Sequence, residues 1–272
     1  MRALRVLAAV CAAVSGVMAA SSAQATGCAS KDPATSVTLP GGECLSFHAS
    51  PRPQAGASLV MFMHGDGGGS IGSNYWDLLT KTGDQIAADT NVTFVVLVRP
   101  GYSGPGGKSS GEAKSGDDDY TSANVKLAAE AISALKAKFR ASRAIVAGTS
   151  GGAATAALVM GRHPGAADAA WLNACPCQIQ PWRAWRMQSA GRTVPWSSLS
   201  PDQHVAGVAA NARFAVVVGE SDVNTLSKFS EAYVTALKAR GVAADLTIVR
   251  GGTHPSTWRS PESVAALTTL LR

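Results

Sequence analysis

The chain has 272 residues, of which 46% are hydrophobic, 15% charged and 6% aromatic. That balance excludes an intrinsically disordered polypeptide and leaves enough apolar material for one sizeable core, so a single globular domain is expected. The formal charge is +6, yet lysines and arginines never run consecutively, which argues against a nucleic-acid surface.

The amino end reads as an export signal rather than as part of the fold. Arg2 and Arg5 give a positive start, residues 6–20 are almost uninterrupted apolar residues including Cys11, and Ala23-Gln24-Ala25 has the small-x-small form of a cleavage site. The apolar stretch is shorter than the roughly 20 residues a permanent span requires and ends in small polar residues, so no stable membrane anchor is expected. Removing 25 of the 272 residues, Arg2 and Arg5 among them, leaves 247 and lowers the charge from +6 to +4. Residues 26–272 then form the domain.

Loss of Cys11 leaves Cys28, Cys44, Cys175 and Cys177. Four cysteines permit three pairings. Proximity favours Cys28 with Cys44, tying the amino-terminal segment to a hairpin, and Cys175 with Cys177 around Pro176. An exported chain supports such bridges. Cys-Pro-Cys lacks a second Cys or His pair at zinc spacing, so no metal is expected.

In chain order, residues 36–39 and 44–48 flank the turn Pro40-Gly41-Gly42 and read as an antiparallel hairpin at a sheet edge. Beyond it, residues 58–63, 92–98, 144–147, 169–172, 214–218 and 246–249 are short apolar runs of the kind found in strands buried on both faces. Residues 74–88, 121–140, 151–162 and 225–240 separate them and are long enough for crossover helices. The clearest has Val125, Leu127, Ala128, Ile132, Leu135 and Phe139 on one side, with Lys126, Lys136 and Lys138 facing water. Alternation of this type predicts an α/β fold, with a mainly parallel central sheet and helices on both faces. Two stretches break the rhythm: a Gly/Ser-rich loop at 100–119 and an irregular insert at 175–211.

Gly148-Thr149-Ser150-Gly151-Gly152 matches G-x-S-x-G, a weak signal alone in a chain with 28 glycines. Its position between a strand and a helix strengthens it, because a serine on that tight turn is an exposed nucleophile with the Gly151 amide available to an oxyanion. The alternative is an ordinary Gly-rich turn. A nucleophilic serine needs a base. Of five histidines, His48, His163 and His204 lie in the hairpin, at a helix end and in the insert, and His64 belongs to a Gly-rich motif. His254, just past the last strand, remains. It falls at the carboxyl edge of a parallel sheet, beside Ser150.

An orienting carboxylate is offered by Gly219-Glu220-Ser221-Asp222 at the same edge. Asp222 lies past the turn and is preferred; Glu220 is the alternative. His64-Gly65-Asp66-Gly67-Gly68-Gly69 follows the first buried strand and suits a second oxyanion donor, the Asp66 amide first and that of Gly67 second. It lacks the lysine and spacing of a phosphate loop.

The blocks HGDGGG, VRPGY, GTSGG, GESD and GGTH, in this order, resemble the α/β-hydrolase superfamily, across roughly residues 45–272. Arg99-Pro100-Gly101-Tyr102 resembles a loop of esterases and prolyl-peptidase relatives. The resemblance implies Ser150 as nucleophile, Asp222 and His254 as its partners, Asp66 and Gly151 as oxyanion donors, and no cofactor. Two departures stand out: Thr149 replaces the more usual histidine or tyrosine, and the cap is only a modest insert.

That insert, 175–211, holds Trp182, Trp185 and Trp196 among Arg183, Arg186 and Arg192. It reads either as a lid offering aromatic faces and cations to substrate, or as a loop whose tryptophans anchor it. Tyr75, Trp76, Tyr102 and Trp258 lie near the site loops and join Trp182 and Arg183 as candidate substrate contacts. Asp117-Asp118-Asp119 suits calcium less well than a solvated helix start. The expectation is a secreted or periplasmic serine hydrolase acting on a small-molecule or polymer ester. A prolyl-oligopeptidase-type peptidase and a non-catalytic binding protein are the alternatives. An intact Ser, Asp and His argues against the last, and no acidic pair for a peptide amine argues against the first.

Overall fold

A computed structural model describes residues 28, 31–114, 118–191 and 196–272. The expected export signal, with Cys11, lies outside these residues, as do Asp117 and Arg192.

The strands are β1 (Ser36–Thr38), β2 (Cys44–Ala49), β3 (Leu59–Met63), β4 (Thr93–Leu97), β5 (Ser103–Gly104), β6 (Gly107–Lys108), β7 (Ala144–Thr149), β8 (Ala169–Asn173), β9 (Arg213–Gly219) and β10 (Ala243–Val249). The helices are α1 (Ser73–Thr90), α2 (Ser122–Lys138), α3 (Gly151–Arg162), α4 (Ile179–Ser189), α5 (Ser227–Ala239) and α6 (Pro261–Leu270). Eight strands form one sheet in the order β1-β2-β4-β3-β7-β8-β9-β10. β1 and β2 run antiparallel at one edge, and every pairing from β4 to β10 is parallel. β5 and β6 pair with each other in a small separate ribbon.

Alternation along each strand divides the core. Leu59, Met61 and Met63 of β3 face one apolar layer with α2, α3 and α5, while Val60 and Phe62 face the other with α1 and α6. Strands apolar on both faces can persist only between two helical layers, which is why the runs of β3 and β4 are uninterrupted. The strand order changes direction beside β3, whose neighbours are β4 and β7. Loops leaving β3 and β7 therefore diverge to opposite sides of the sheet, and the crevice between their carboxyl ends is where an open α/β sheet binds ligands.

Both irregular stretches contain more order than expected. The 100–119 loop carries β5 and β6 and lies along β2, where Ser109 and Ser110 side chains accept the Ser46 and Cys44 amides. The 175–211 insert contains α4 and a 3-10 helix, Pro201–Gly207. The two stretches pin each other: Asp118 accepts the amides of Ser197 (2.9 Å) and Ser198 (2.6 Å). Asp118 and Asp119 are thus not a solvated helix start. Asp119 is buried and ion-paired to Arg99 at 2.9 Å, and no cluster of acidic, His or Cys side chains among the described residues would hold a metal. Both expected disulfides are formed, Cys28–Cys44 with Cα atoms 5.7 Å apart and Cys175–Cys177 at 5.1 Å.

Candidate active site

Ser150 sits between β7 and α3 with φ 54° and ψ −124°, a backbone conformation that L-residues adopt only when the surroundings impose it. Its amide is held by the Asn173 carbonyl at 2.9 Å. Close packing explains the flanking glycines. A Cβ at Gly148 would lie 2.7 Å from the Ala153 nitrogen, and one at Gly152 would overlap the Met63 and His64 carbonyls. A serine preceding a helix ordinarily turns its hydroxyl onto the helix amides. Here the strained backbone turns it away, and Ser150 makes no side-chain cap.

His254 follows β10, and Asp222 lies in the turn after β9. Their side chains meet at 2.8 Å, His254 Nδ1 to Asp222 Oδ2. The Asp222 side chain is fully buried and that of His254 is 21% exposed. Burial alone would raise the Asp222 pKa. The hydrogen bond and charge of His254 and the donors of Thr225 outweigh it and hold the carboxyl below its ordinary value. The other carboxylate oxygen accepts the amides of Asn224 and Thr225, both at 2.8 Å. Glu220, the alternative acid, instead caps the Gly251 amide at 2.9 Å. Thr225 was not among the sequence candidates: its hydroxyl is 2.8 Å from Asp222 Oδ2, 2.9 Å from His254 Nδ1 and 3.1 Å from the Ala174 carbonyl.

Two of the other histidines are occupied elsewhere. His48 bonds Asp84, and His64 is buried with Nδ1 2.7 Å from the Gly65 carbonyl and Nε2 accepting the Arg99 amide. Burial, reinforced by the Arg99 charge, lowers the His64 pKa to about 3, so the ring is a neutral strut.

The loop after β3 reaches Ser150 directly: a Cβ at Gly65 would stand 3.2 Å from the Ser150 Cβ and 3.8 Å from its Oγ. Asp66, the next residue, is fixed through its side chain. Its carboxylate accepts Arg99 Nη1 at 2.8 Å and the Tyr120 hydroxyl at 2.6 Å, and it lies against Gly151, where a Cβ would overlap it. Arg99 is 3% exposed and also pairs with Asp119. Burial alone would favour loss of its proton, but the charges of Asp119 and Asp66 overcome that penalty and keep it a cation. Sequence patterning did not show this buried four-residue network.

Ser150 and His254 line one cleft of about 400 Å³, together with Gly65, Asp66, Tyr75, Trp182, Arg183, Arg186, Asn224, Trp258 and Arg259. Burial raises the Tyr75 pKa, so its phenol stays a donor. Trp182 serves both readings of the insert: it lines the cleft, yet it is 3% exposed and anchors α4 through Nε1 to the Asn224 carbonyl at 2.8 Å. Trp76 and Tyr102 are not in the cleft lining. Tyr102 is fully buried under Arg99, 4.7 Å from its guanidinium carbon, and packs on His64, while Trp76 packs against the apolar layers beneath. Proximity in sequence to a site loop had put both in the wrong place.

The sequence profile of the prolyl oligopeptidase family matches residues 82–270, a span containing Ser150, Asp222 and His254. No curated protein matches the chain. Among solved structures it is similar to a puromycin-hydrolyzing peptidase of Mycobacterium tuberculosis, at 17% identity and TM-score 0.63, covering 86% of this chain and 37% of that one. An esterase of Pyrococcus furiosus aligns at 12% identity and TM-score 0.63, covering 87% of this chain and 90% of the esterase. The dipeptidyl peptidase 4 of Porphyromonas gingivalis aligns at 13% identity and TM-score 0.60, over 87% of this chain and 34% of its own. The chain therefore spans little more than a third of the peptidases and nearly the whole of the esterase. At these identities the likeness establishes the fold, which is that of the α/β-hydrolases.

Proposed function

The chain belongs to the prolyl oligopeptidase family, and from that premise we propose that it is a secreted serine hydrolase that cleaves esters through Ser150, His254 and Asp222. The observation that carries this reading is the 2.8 Å contact between Asp222 Oδ2 and His254 Nδ1, made across two loops in the cleft that Ser150 also lines.

Asp222 accepts the Nδ1 proton of His254 and so leaves Nε2 as the base. In the proposed reaction Nε2 takes the Ser150 hydroxyl proton as Oγ bonds to the substrate carbonyl carbon. The negative charge moves to the carbonyl oxygen, which the amides of Asp66 and Gly151 stabilise. Collapse breaks the ester C–O bond, and the leaving alcohol receives the proton from His254. Water, deprotonated by the same imidazole, then releases the acid from Ser150.

Esters are favoured over peptides by the charge of the cleft. Among the described residues its lining contains one carboxylate, that of Asp66, and this is committed to Arg99 and Tyr120, so none of them would receive a peptide ammonium. The peptidase reading draws on the family match and remains the competitor. Export is supported by the apolar, cleavable form of residues 1–25 and by two disulfides.

A fluorophosphonate probe should label the purified protein and not its Ser150→Ala variant; equal labelling of both would remove Ser150 from the mechanism. A panel of p-nitrophenyl esters beside aminoacyl p-nitroanilides separates the two substrate classes. Cleavage of anilides alone would make it a peptidase.

A further inference from the structure

The cleft holds more positive charge than serine hydrolysis uses. Arg183 and Arg186 project from α4 and Arg259 from the short turn Thr257–Arg259 that follows His254, so cations line the cleft from two separate elements. Two of the three head groups are held in place. The Arg183 guanidinium carbon lies 4.4 Å from the ring centre of Trp182 and 3.3 Å from that of Trp196. Arg186 is anchored by Nη1 to Asn224 Oδ1 at 2.6 Å. Among the described residues no ion pair is formed by Arg186 or Arg259, and the Asp66 carboxylate is already taken.

An arginine on an exposed helix face usually does no more than stay solvated. Here the cations converge on a concave site, where low-dielectric walls focus their field. Guanidinium groups fixed by stacking or by an amide lose little freedom when they bind an anion, and their planar forks match a carboxylate.

We propose that the substrate is an ester carrying an anionic group, a carboxylate by chemical class, which Arg183, Arg186 and Arg259 hold while the ester carbonyl lies over Ser150. This rests on the hydrolase reading above. It adds a substrate class to it: hemiesters of dicarboxylic acids, where the charge is on the acyl side, or esters of carboxylated alcohols and phenols, where it is on the leaving side.

Two matched pairs test it and distinguish these sources. Mono-p-nitrophenyl glutarate is compared with p-nitrophenyl 4-carbamoylbutanoate, and 4-acetoxybenzoate with 4-acetoxybenzamide. In at least one pair the carboxylate member should show kcat/KM about tenfold above its amide, the scale of one charge-assisted hydrogen-bonded contact. Added sodium chloride should shrink that ratio. Arg186→Gln combined with Arg259→Gln should bring it close to unity, whereas Lys238→Gln combined with Arg240→Gln, an equal loss of charge at the exposed end of α5, should leave it intact. Equal kcat/KM within both pairs overturns the proposal, as does a preference that survives the double arginine variant, and either result leaves ester hydrolysis standing. Failure to turn over any ester, with no fluorophosphonate labelling, overturns the hydrolase reading and this inference together.

Discussion

Thr225 places its hydroxyl 2.9 Å from Nδ1 of His254, the nitrogen whose proton Asp222 accepts. The same hydroxyl is 2.8 Å from Asp222 Oδ2 and 3.1 Å from the Ala174 carbonyl, and the residue is 1% exposed. One side chain thus ties the acid and the base to the loop that continues from β8. Thr225→Val keeps the shape and removes the hydroxyl. A single buried hydrogen bond to a charged group contributes about 1.5 kcal/mol or more, so kcat/KM should fall at least about tenfold, and Thr225→Ser should recover most of it. Unchanged kcat/KM in the valine variant would reduce Thr225 to a packing residue.

Gly152 separates nucleophile geometry from fold stability. A Cβ there would overlap the Met63 and His64 carbonyls, backbone atoms at the end of the central strand that cannot rotate aside. Gly152→Ala should cost about 1–3 kcal/mol, as overpacking of a tight interior does, and lower Tm by roughly 2–4 °C per kcal/mol for a domain of this size. Thermal unfolding followed by circular dichroism measures it. A Tm equal to that of the parent would show that α3 shifts freely, which is incompatible with the contact.

The parts legible in the sequence were those with a local signal. β3 and β4 each came out within a residue of their apolar runs, because strands buried on both faces must be apolar throughout, and Gly151–Arg162 was recovered as a helix with both ends in place. Ser150, Asp222 and His254 could be proposed together because each lies in the segment that follows a strand at one sheet edge. What was missed has no local signature. α4 buries only Ile179 and Trp182, two points that define no period, and Pro181 lies in its first turn. Arg99, Asp66, Asp119 and Tyr120 meet through tertiary structure across separate segments, so Asp119 read as one more charge in an acidic run. Thr225 stood at the start of an expected helix, where threonine normally serves as a cap; α5 begins at Ser227, and the hydroxyl meets Asp222 and His254 instead.

His64 gives the fold a pH dependence of definite sign. Burial, with the Arg99 charge, lowers its pKa to about 3, whereas an unfolded histidine titrates near 6.5. Between these values the unfolded chain binds the proton and the native chain does not, so stability rises with pH across that window. The contribution is fully present above about pH 6.5 and is lost progressively as pH falls toward 3, on the order of a few kcal/mol in total. Carboxylates held low in the native state, Asp222 among them, act in the same direction but only nearer their own range around pH 4 and below. Urea midpoints between pH 7 and pH 5 therefore report the histidines, His163 and His204 among them, whose pKa values burial also lowers. His64→Gln should lower stability at pH 7 and flatten that slope; an unaltered slope would assign it to another group.

The Asp66 side chain tests whether the oxyanion donor is held from behind. Its carboxylate is fixed by Arg99 and Tyr120, and the residue's own amide is the group proposed to meet the oxyanion. Asp66→Asn preserves size and removes the charge that holds Arg99. The amide would lose its fixed direction, and donors of this type act in the transition state more than on bound substrate. The expected result is kcat reduced by about tenfold or more with KM changed little, since removing such a donor altogether costs about a hundredfold or more. Arg99→Lys, which keeps the charge but not the fork bridging Asp66 and Asp119, should show the same pattern in weaker form. A rise in KM with kcat preserved in Asp66→Asn would instead place Asp66 among the groups that bind the ground state, and the second oxyanion donor would then be sought at Gly67.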